Sequence, residues 1–356
     1  MIKQEINELK RLYTPSNCSI TRICGCYVDG EKNKKTEFKE AFLSLPEEEI
    51  FKYFELLRKT LSGSLGKNLL NLDFPLASEQ EGGTQAALLA LRDSKLKDDA
   101  LIEEFYDRVI NTYEYVGNYL ILLIHDAYDV PGKTTDGLTM DDASDTVFEY
   151  IMCCICPVNL SKPGLSYDNI NNEFHNRIRD WVVEMPETGF LFPSFNDRAT
   201  DIHSTLFYSK NPEEAHSEFV ENILGCTMPL SAGTQKEAFQ ALIEETLGDE
   251  VEYEVVKNIH ENLTEMIEEH KEIPEPLTLD KHQVKSLFEK SGVKEEKLTD
   301  FDKLYDAAAG EDTSLFVNNV ANVRTFEVKT PDVVVKVNPE RADLVNTLQI
   351  DGKRCL

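Results

Sequence analysis

WVVEMPETGFLFPSFNDRATDIHSTLFY, residues 181–208, holds two apolar runs that meet at the turn Pro186-Glu187-Thr188-Gly189. Short runs of β-branched and aromatic residues bounded by turn formers read as strands of an antiparallel sheet. The second run opens into Asp197, Arg198, Asp201 and His203, side chains that can act as acids, bases or ligands. Their spacing matches no motif with a known mechanism. The stretch indicates a sheet with a polar rim.

Working outward, residues 119–124 read as a buried strand that ends in His125-Asp126-Ala127-Tyr128-Asp129. A loop rich in Asp136, Asp141, Asp142 and Asp145 follows, and residues 148–158 return to strand character. Residues 19–28 form a further strand, turning at Asp29-Gly30 into a return arm over 36–42. Helices are expected over 2–13, on the stripe Ile2, Ile6, Leu9 and Tyr13, and from a capping box at Ser44 and Glu47 as far as Gly63. Asp98 caps another, and Asn211-Pro212 starts one that Gly225 closes. Residues 231–310 are helical and acidic, with few strand formers. Beyond them, 325–329, 332–338 and 344–350 return to strands.

Hydrophobic residues make up 41% of the 356 and charged residues 29%, which suits a soluble globular chain of one to three domains. No apolar run reaches the roughly 20 residues of a membrane helix. The opening residues lead into an amphipathic helix rather than a secretory leader. The net charge of −28 is uneven. Residues 1–70 hold 12 Lys/Arg against 10 Asp/Glu, and the rest hold 25 against 55. An acidic body repels polyanions, so membrane and general nucleic-acid binding are disfavoured. Only the basic stretch, with Arg22, Lys32, Lys34, Lys35 and Lys67, could face a phosphate backbone.

Eight cysteines, mostly inside strand-like runs, read as reduced core thiols of a cytoplasmic protein. Neither Cys24-Gly25-Cys26 nor Cys153-Cys154-Ile155-Cys156 has the spacing of a zinc knuckle. Gly63-Ser64-Leu65-Gly66-Lys67-Asn68 lacks the length and the Ser or Thr of a phosphate loop. Residues 287–304 have no basic recognition face for a helix-turn-helix. The candidate catalytic residues are His125, Asp126, Asp197, Arg198, Asp201 and His203. The candidate ligands for a divalent metal ion are His125, Asp126, Asp129, Asp197, Asp201 and His203, since carboxylates with imidazoles suit either role.

The runs ITRICGCYVDGEKNKKTEF from Ile20, LSGSLGKNLLNLDFP from Leu61, LLIHDAYDVPGKT from Leu122, ICPVNLSKPGLSY from Ile155 and GFLFPSFNDRATDIH from Gly189 carry a resemblance. With KTPDVVVKVNPERADLV near the C-terminus, the chain resembles over its full length a family of cytoplasmic proteins from Gram-positive, mostly anaerobic bacteria, catalogued only as a domain of unknown function. Members look slightly longer at the C-terminus. The resemblance implies no activity, cofactor or site residue.

These readings converge on an α+β protein: a mixed body with antiparallel strands over 1–228, an acidic helical insertion over 229–310, and a C-terminal β closing segment over 311–356 that pairs with the main sheet. The leading function is a non-enzymatic binding or regulatory protein with a protein or ribonucleoprotein partner. The alternatives are a metal-dependent hydrolase built on the Asp/His cluster and a ribosome- or RNA-associated factor using the basic N-terminal region.

Overall fold

Val, Ile, Leu, Cys and aromatic residues fill the middle of two long strands, residues 119–124 of β4 (Asn118–Val130) and 150–158 of β5 (Thr146–Leu160). That composition belongs to strands covered on both faces. They pair antiparallel along their length, from Asn118 opposite Val158 to Val130 opposite Thr146. The computed structural model describes residues 1–133, 139–140, 146–248, 253–321, 326–329, 334–337, 348–350 and 353–355. The acidic-loop residues Asp136, Asp141, Asp142 and Asp145 lie outside these.

Around the β4–β5 pair the sheet grows by antiparallel neighbours only. β1 (Ile20–Val28) lies against β4, and β2 (Lys34–Ala41) forms the edge beyond it. On the other side β9 (Thr188–Phe192) pairs with β5, β12 (Ser204–Ser209) with β9, and β3 (Leu69–Asp73) with β12. Between them in sequence come β6 (Leu165–Asp168), β7 (Glu173–Asn176), β8 (Trp181–Val183), β10 (Ser194–Asn196) and β11 (Ala199–Asp201).

Alternation along each strand gives the sheet two apolar faces. On one, α1 (Lys3–Lys10) and α2 (Glu47–Thr60) bring Leu9, Phe54 and Leu57 over Leu122, Ile124 and Met152. On the other, α3 (Thr84–Asp93), α4 (Asp99–Thr112) and the turns around 217–224 bring Leu88, Phe105 and Phe219 over Ile121, Cys153 and Phe190. The α+β class is as expected, arranged as helix, sheet and helix layers.

Several local expectations change. α4 has the expected Asp98 cap, whose carboxylate accepts from the backbone N–H of Ala100 at 2.9 Å. Ser44 does not cap α2: its hydroxyl donates to the Ala41 carbonyl at 2.7 Å, and Pro46 precedes the first turn. The helix expected from 212 to 225 is divided: His216, at a left-handed φ of 52°, separates the Asn211-capped turn over Pro212–Glu214 from a helical stretch over 217–224, which Gly225, at φ 70°, closes as expected. β4 continues to Val130, so His125–Asp129 lies inside the strand rather than after it.

The chain divides into two compact units, Met1–Met228 and Pro229–Leu356. In the second, α5 (Ala232–Leu247), α6 (Tyr253–Glu269), α7 (Lys281–Lys290) and α8 (Phe301–Ala308) close around Phe239, Ile259, Leu263, Phe288 and Phe301. Ser231 caps α5, and Asp280 with Gln283 forms a capping box on α7. Beyond α8 the described C-terminal hairpins are formed by neighbouring segments. Phe326–Lys329 pairs with Val334–Val337, and Leu348–Ile350 with Lys353–Cys355. Segments adjacent in sequence find each other more readily than a distant edge.

Seven thiols are free, six of them buried and Cys18 half-buried; the side chain of Cys355 lies outside the described set. Burial pushes Cys24 up to about 11 and Cys26 and Cys226 to about 12, so these thiols stay protonated and inert at neutral pH.

Candidate functional site

His125 and Asp126 are consecutive on β4, so their side chains leave opposite faces of the sheet. His125, fully buried, faces the α3–α4 side, with Nδ1 2.8 Å from Thr21 Oγ1 and Nε2 3.8 Å from Glu149 Oε2. Burial lowers its pKa to about 4 although Glu149 opposes the shift. Asp126 faces the α1–α2 side. Its Oδ2 accepts from Tyr150 Oη at 2.7 Å, and its Oδ1 accepts from the Ala127 N–H at 2.8 Å. Tyr150 Oη lies 3.0 Å from Tyr13 Oη, which completes a buried chain of polar groups. Burial raises the Asp126 carboxyl above its ordinary value. Asp129 is exposed.

The residues after Pro193 serve local structure. Asp197 and Arg198 are the two-residue turn between β10 and β11, at φ 52° and 57°. Positive φ at both positions normally selects Asn-Gly. Here the Arg198 guanidinium holds the turn, donating to Glu8 at 2.8 and 3.1 Å and to the Pro131 carbonyl at 3.0 Å. Tyr128 Oη donates to the same Glu8 carboxylate at 2.9 Å. Asp201 accepts from Asn196 Nδ2, Ser204 Oγ and the His203 N–H at 2.6, 2.7 and 3.0 Å. His203 is exposed; Glu79, 2.6 Å away, raises its pKa. The structure thus links Arg198 with Glu8 and His203 with Glu79, while His125 and Asp126 diverge. Among the described residues no three His, Cys, Asp or Glu side chains converge to hold a metal ion.

The basic N-terminal stretch is also altered by folding. Counting charges misses that α4 lays its acids beside β2. Lys34 meets Asp107 at 2.8 Å and also pairs with Glu103; Lys39 pairs with Asp99. Lys35 pairs with Asp29 at 2.6 Å, and Lys32 with Glu114 at 3.3 Å. These lysines are partly committed before any phosphate arrives. Lys34→Glu, which sets a like charge against two carboxylates, is expected to cost about 1 kcal/mol in urea unfolding. No measurable loss would show that the Lys34 pairs are idle.

Sequence reading passed over the most unusual surface. From Val158 to Val183 the chain is one antiparallel hairpin in a single register. Val158 faces Val183 and Leu160 faces Trp181. The Ser161 N–H then donates to the Asp180 carbonyl at 2.8 Å, and the Arg177 N–H to the Gly164 carbonyl at 2.9 Å. β6 and β7 continue from Leu165 opposite Asn176 to Asp168 opposite Glu173. The Asp168 carboxylate closes the tip by accepting from the Ile170 N–H at 2.8 Å and from Asn171 Nδ2 at 2.7 Å.

Opposed residues share a face. One face of the arm is therefore polar, with Lys162, Arg177, Arg179, Ser166, His175 and Glu173. The other carries Val182, Ile178, Leu165, Tyr167 and Phe174, with Ile170 at the tip; Ser161 with Asp180, and Asn176 opposite Leu165, lie among them on the same face. The Tyr167 and Phe174 rings sit 5.2 Å apart, as cross-strand neighbours on one face should. This apolar face is open to solvent: Val182 is 47% exposed, Tyr167 54%, Phe174 71%, Leu165 75%, Ile178 80% and Ile170 86%. The signal was present as alternation, but Pro163-Gly164 and Asn169–Asn172 cut it into pieces too short to read.

An isolated two-stranded ribbon is marginal in water, and a contiguous exposed apolar face of this size marks an interaction surface. At the base of the hairpin Leu160, Trp181 and Val183 lie on the opposite face and are 37%, 55% and 39% exposed, whereas Leu43, Leu76 and Val116 are scattered over the body. Among the described residues no helix is long and apolar enough to cross a membrane. No curated protein matches the chain. Over residues 1–356 it matches the family model described as Domain of unknown function (DUF4317), and it belongs to that family.

Proposed function

We propose that this is a non-enzymatic cytoplasmic protein that works by binding another protein through the 161–180 arm. The open apolar face of that arm is the observation that carries the reading. Burying it would gain roughly 25 cal/mol per Å² of apolar area, while nothing in the body of the first unit is exposed on that scale. A hydrolase is the weaker reading, because two of its proposed residues leave opposite faces of one sheet and Arg198 is held by Glu8. An RNA or ribonucleoprotein partner is weaker because Lys32, Lys34 and Lys35 are each held by a carboxylate. The resemblance supports a setting in Gram-positive bacteria, and the protonated buried thiols suit a reducing compartment.

Photo-crosslinking tests the reading. A benzoylphenylalanine at position 174 should give a discrete higher-mass adduct on irradiation of cells, and one at Val116, exposed on the body, should not. No adduct at 174, or the same smear at both positions, would remove the arm as a binding surface.

A further inference from the structure

The arm's chemistry specifies an occupant. Residues 161–180 hold Lys162, Arg177 and Arg179 against Asp168, Glu173 and Asp180, so this segment is neutral and the remainder carries the whole −28. Two such acidic bodies repel each other at close range. A neutral ribbon is the place where two copies can meet.

The geometry meets the same requirement. At about 3.3 Å per residue the arm reaches roughly 25 Å beyond Leu160. Consider two arms lying antiparallel, apolar face to apolar face, about a twofold axis at the level of Leu165. The Tyr167–Phe174 pair of each then lies over Ile178 of the other, and each tip Ile170 over Val182. The bases of the two arms are then about 30 Å apart, several times the ~8 Å Debye length at physiological salt. Body repulsion is largely screened at that distance.

The area is of the right order too. With roughly 150–250 Å² for each of the two aromatic side chains and less for each of the four aliphatic ones, the six residues at their exposures present several hundred Å² of apolar surface. A standard interface takes about 800 Å² from each partner. The face is also self-complementary in size, with an aromatic pair and aliphatic residues on opposite sides of Leu165, as a twofold contact needs.

We propose that the arm's partner is the arm of a second copy, so that the protein is a twofold homodimer joined through its 161–180 ribbons. This rests on the docking reading above and narrows it. The test is light scattering on the full chain at micromolar concentration, alongside the variant Leu165→Ser/Phe174→Ser/Ile178→Ser. The natural chain should elute with the mass of two chains, and the variant with the mass of one. Far-ultraviolet dichroism of the variant should be retained, because these side chains pack on no part of the body core. Added salt should leave the dimer intact.

Three results would overturn self-pairing. If the natural chain is monomeric and binds an apolar dye that the variant does not bind, the arm is an open face for a different protein; self-pairing fails and docking stands. If the natural chain is monomeric and the dye binds both proteins equally, both readings fail. A dimer that survives the triple substitution uses another surface, and the arm pairing is wrong.

Discussion

Phe190→Ala is expected to lower the unfolding free energy of the first unit by about 3–5 kcal/mol. Phe190 is fully buried at the centre of β9, opposite Cys153 on β5 and Phe207 on β12. Its ring makes an edge contact with Phe105 of α4 at 6.2 Å and meets Phe219 at the same distance. The walls around it cannot close after truncation. The sheet is fixed by ladders on both sides, and α4 is anchored by its cap and by ion pairs to β2. Backbone shift is blocked as well: a Cβ added at neighbouring Gly189 would lie 2.4 Å from the Cys153 carbonyl oxygen, so chain and sheet are already in contact. The loss should appear as a lower urea midpoint at unchanged slope. A loss under about 1 kcal/mol would mean the site collapses, and that the α4 layer is softer than its packing implies.

Acid should also destabilise this unit through His125. In the unfolded chain the imidazole has its ordinary value of 6.5, and burial lowers it to about 4 in the folded state, with Lys95, Arg92 and Lys97 adding to the shift. Between those values the unfolded chain holds one more proton than the folded one. Stability then falls as pH falls, by up to about 1.4 kcal/mol per pH unit and on the order of 3 kcal/mol over the window. Above pH 6.5 this contribution is complete and flat. Asp126 acts in the opposite direction, because its folded carboxyl takes up a proton at higher pH than the unfolded one. It therefore offsets part of the loss at the acid end.

Burial also lowers His260, in the second unit, to about 4, so a global probe would mix the two histidines. Amide exchange at Ile121–Ile124 isolates the first unit. His125→Asn should remove most of the slope between pH 6.5 and 4. An unchanged slope would mean that His125 is protonated in the folded protein.

Much of the sheet was legible because its strands are apolar runs ended by turn formers. The errors have a common source. β4 reads as ending at Ile124 because His125-Asp126 looks like a loop, yet Thr21 bonds His125 Nδ1 and Tyr150 bonds the Asp126 carboxylate from more than twenty residues away in sequence. Ser44 looked like a cap because the pattern is right locally, but the turn before it takes the hydroxyl. The basic N-terminus looked available because a sum of charges has no geometry. For the candidate residues, side-chain type could be read but not direction: one step along a strand reverses the face, so the His125–Asp126 neighbourhood in sequence becomes separation in space.

β3 carries a consequence in time. Leu69 pairs with Tyr208 and Asp73 with Ser204, so this edge strand leaves the ribosome about 140 residues before its partner, a delay of roughly 7–30 seconds at ~5–20 residues per second. Through that interval Leu69, Leu70 and Leu72 have no ladder, and the stripes of α1 and α2 have no sheet to cover until β4 and β5 arrive. The N-terminal third thus keeps apolar surface uncovered for that interval in every round of synthesis. A chain cut short before Ser209 keeps an apolar strand unpaired, which marks it for aggregation or proteolysis.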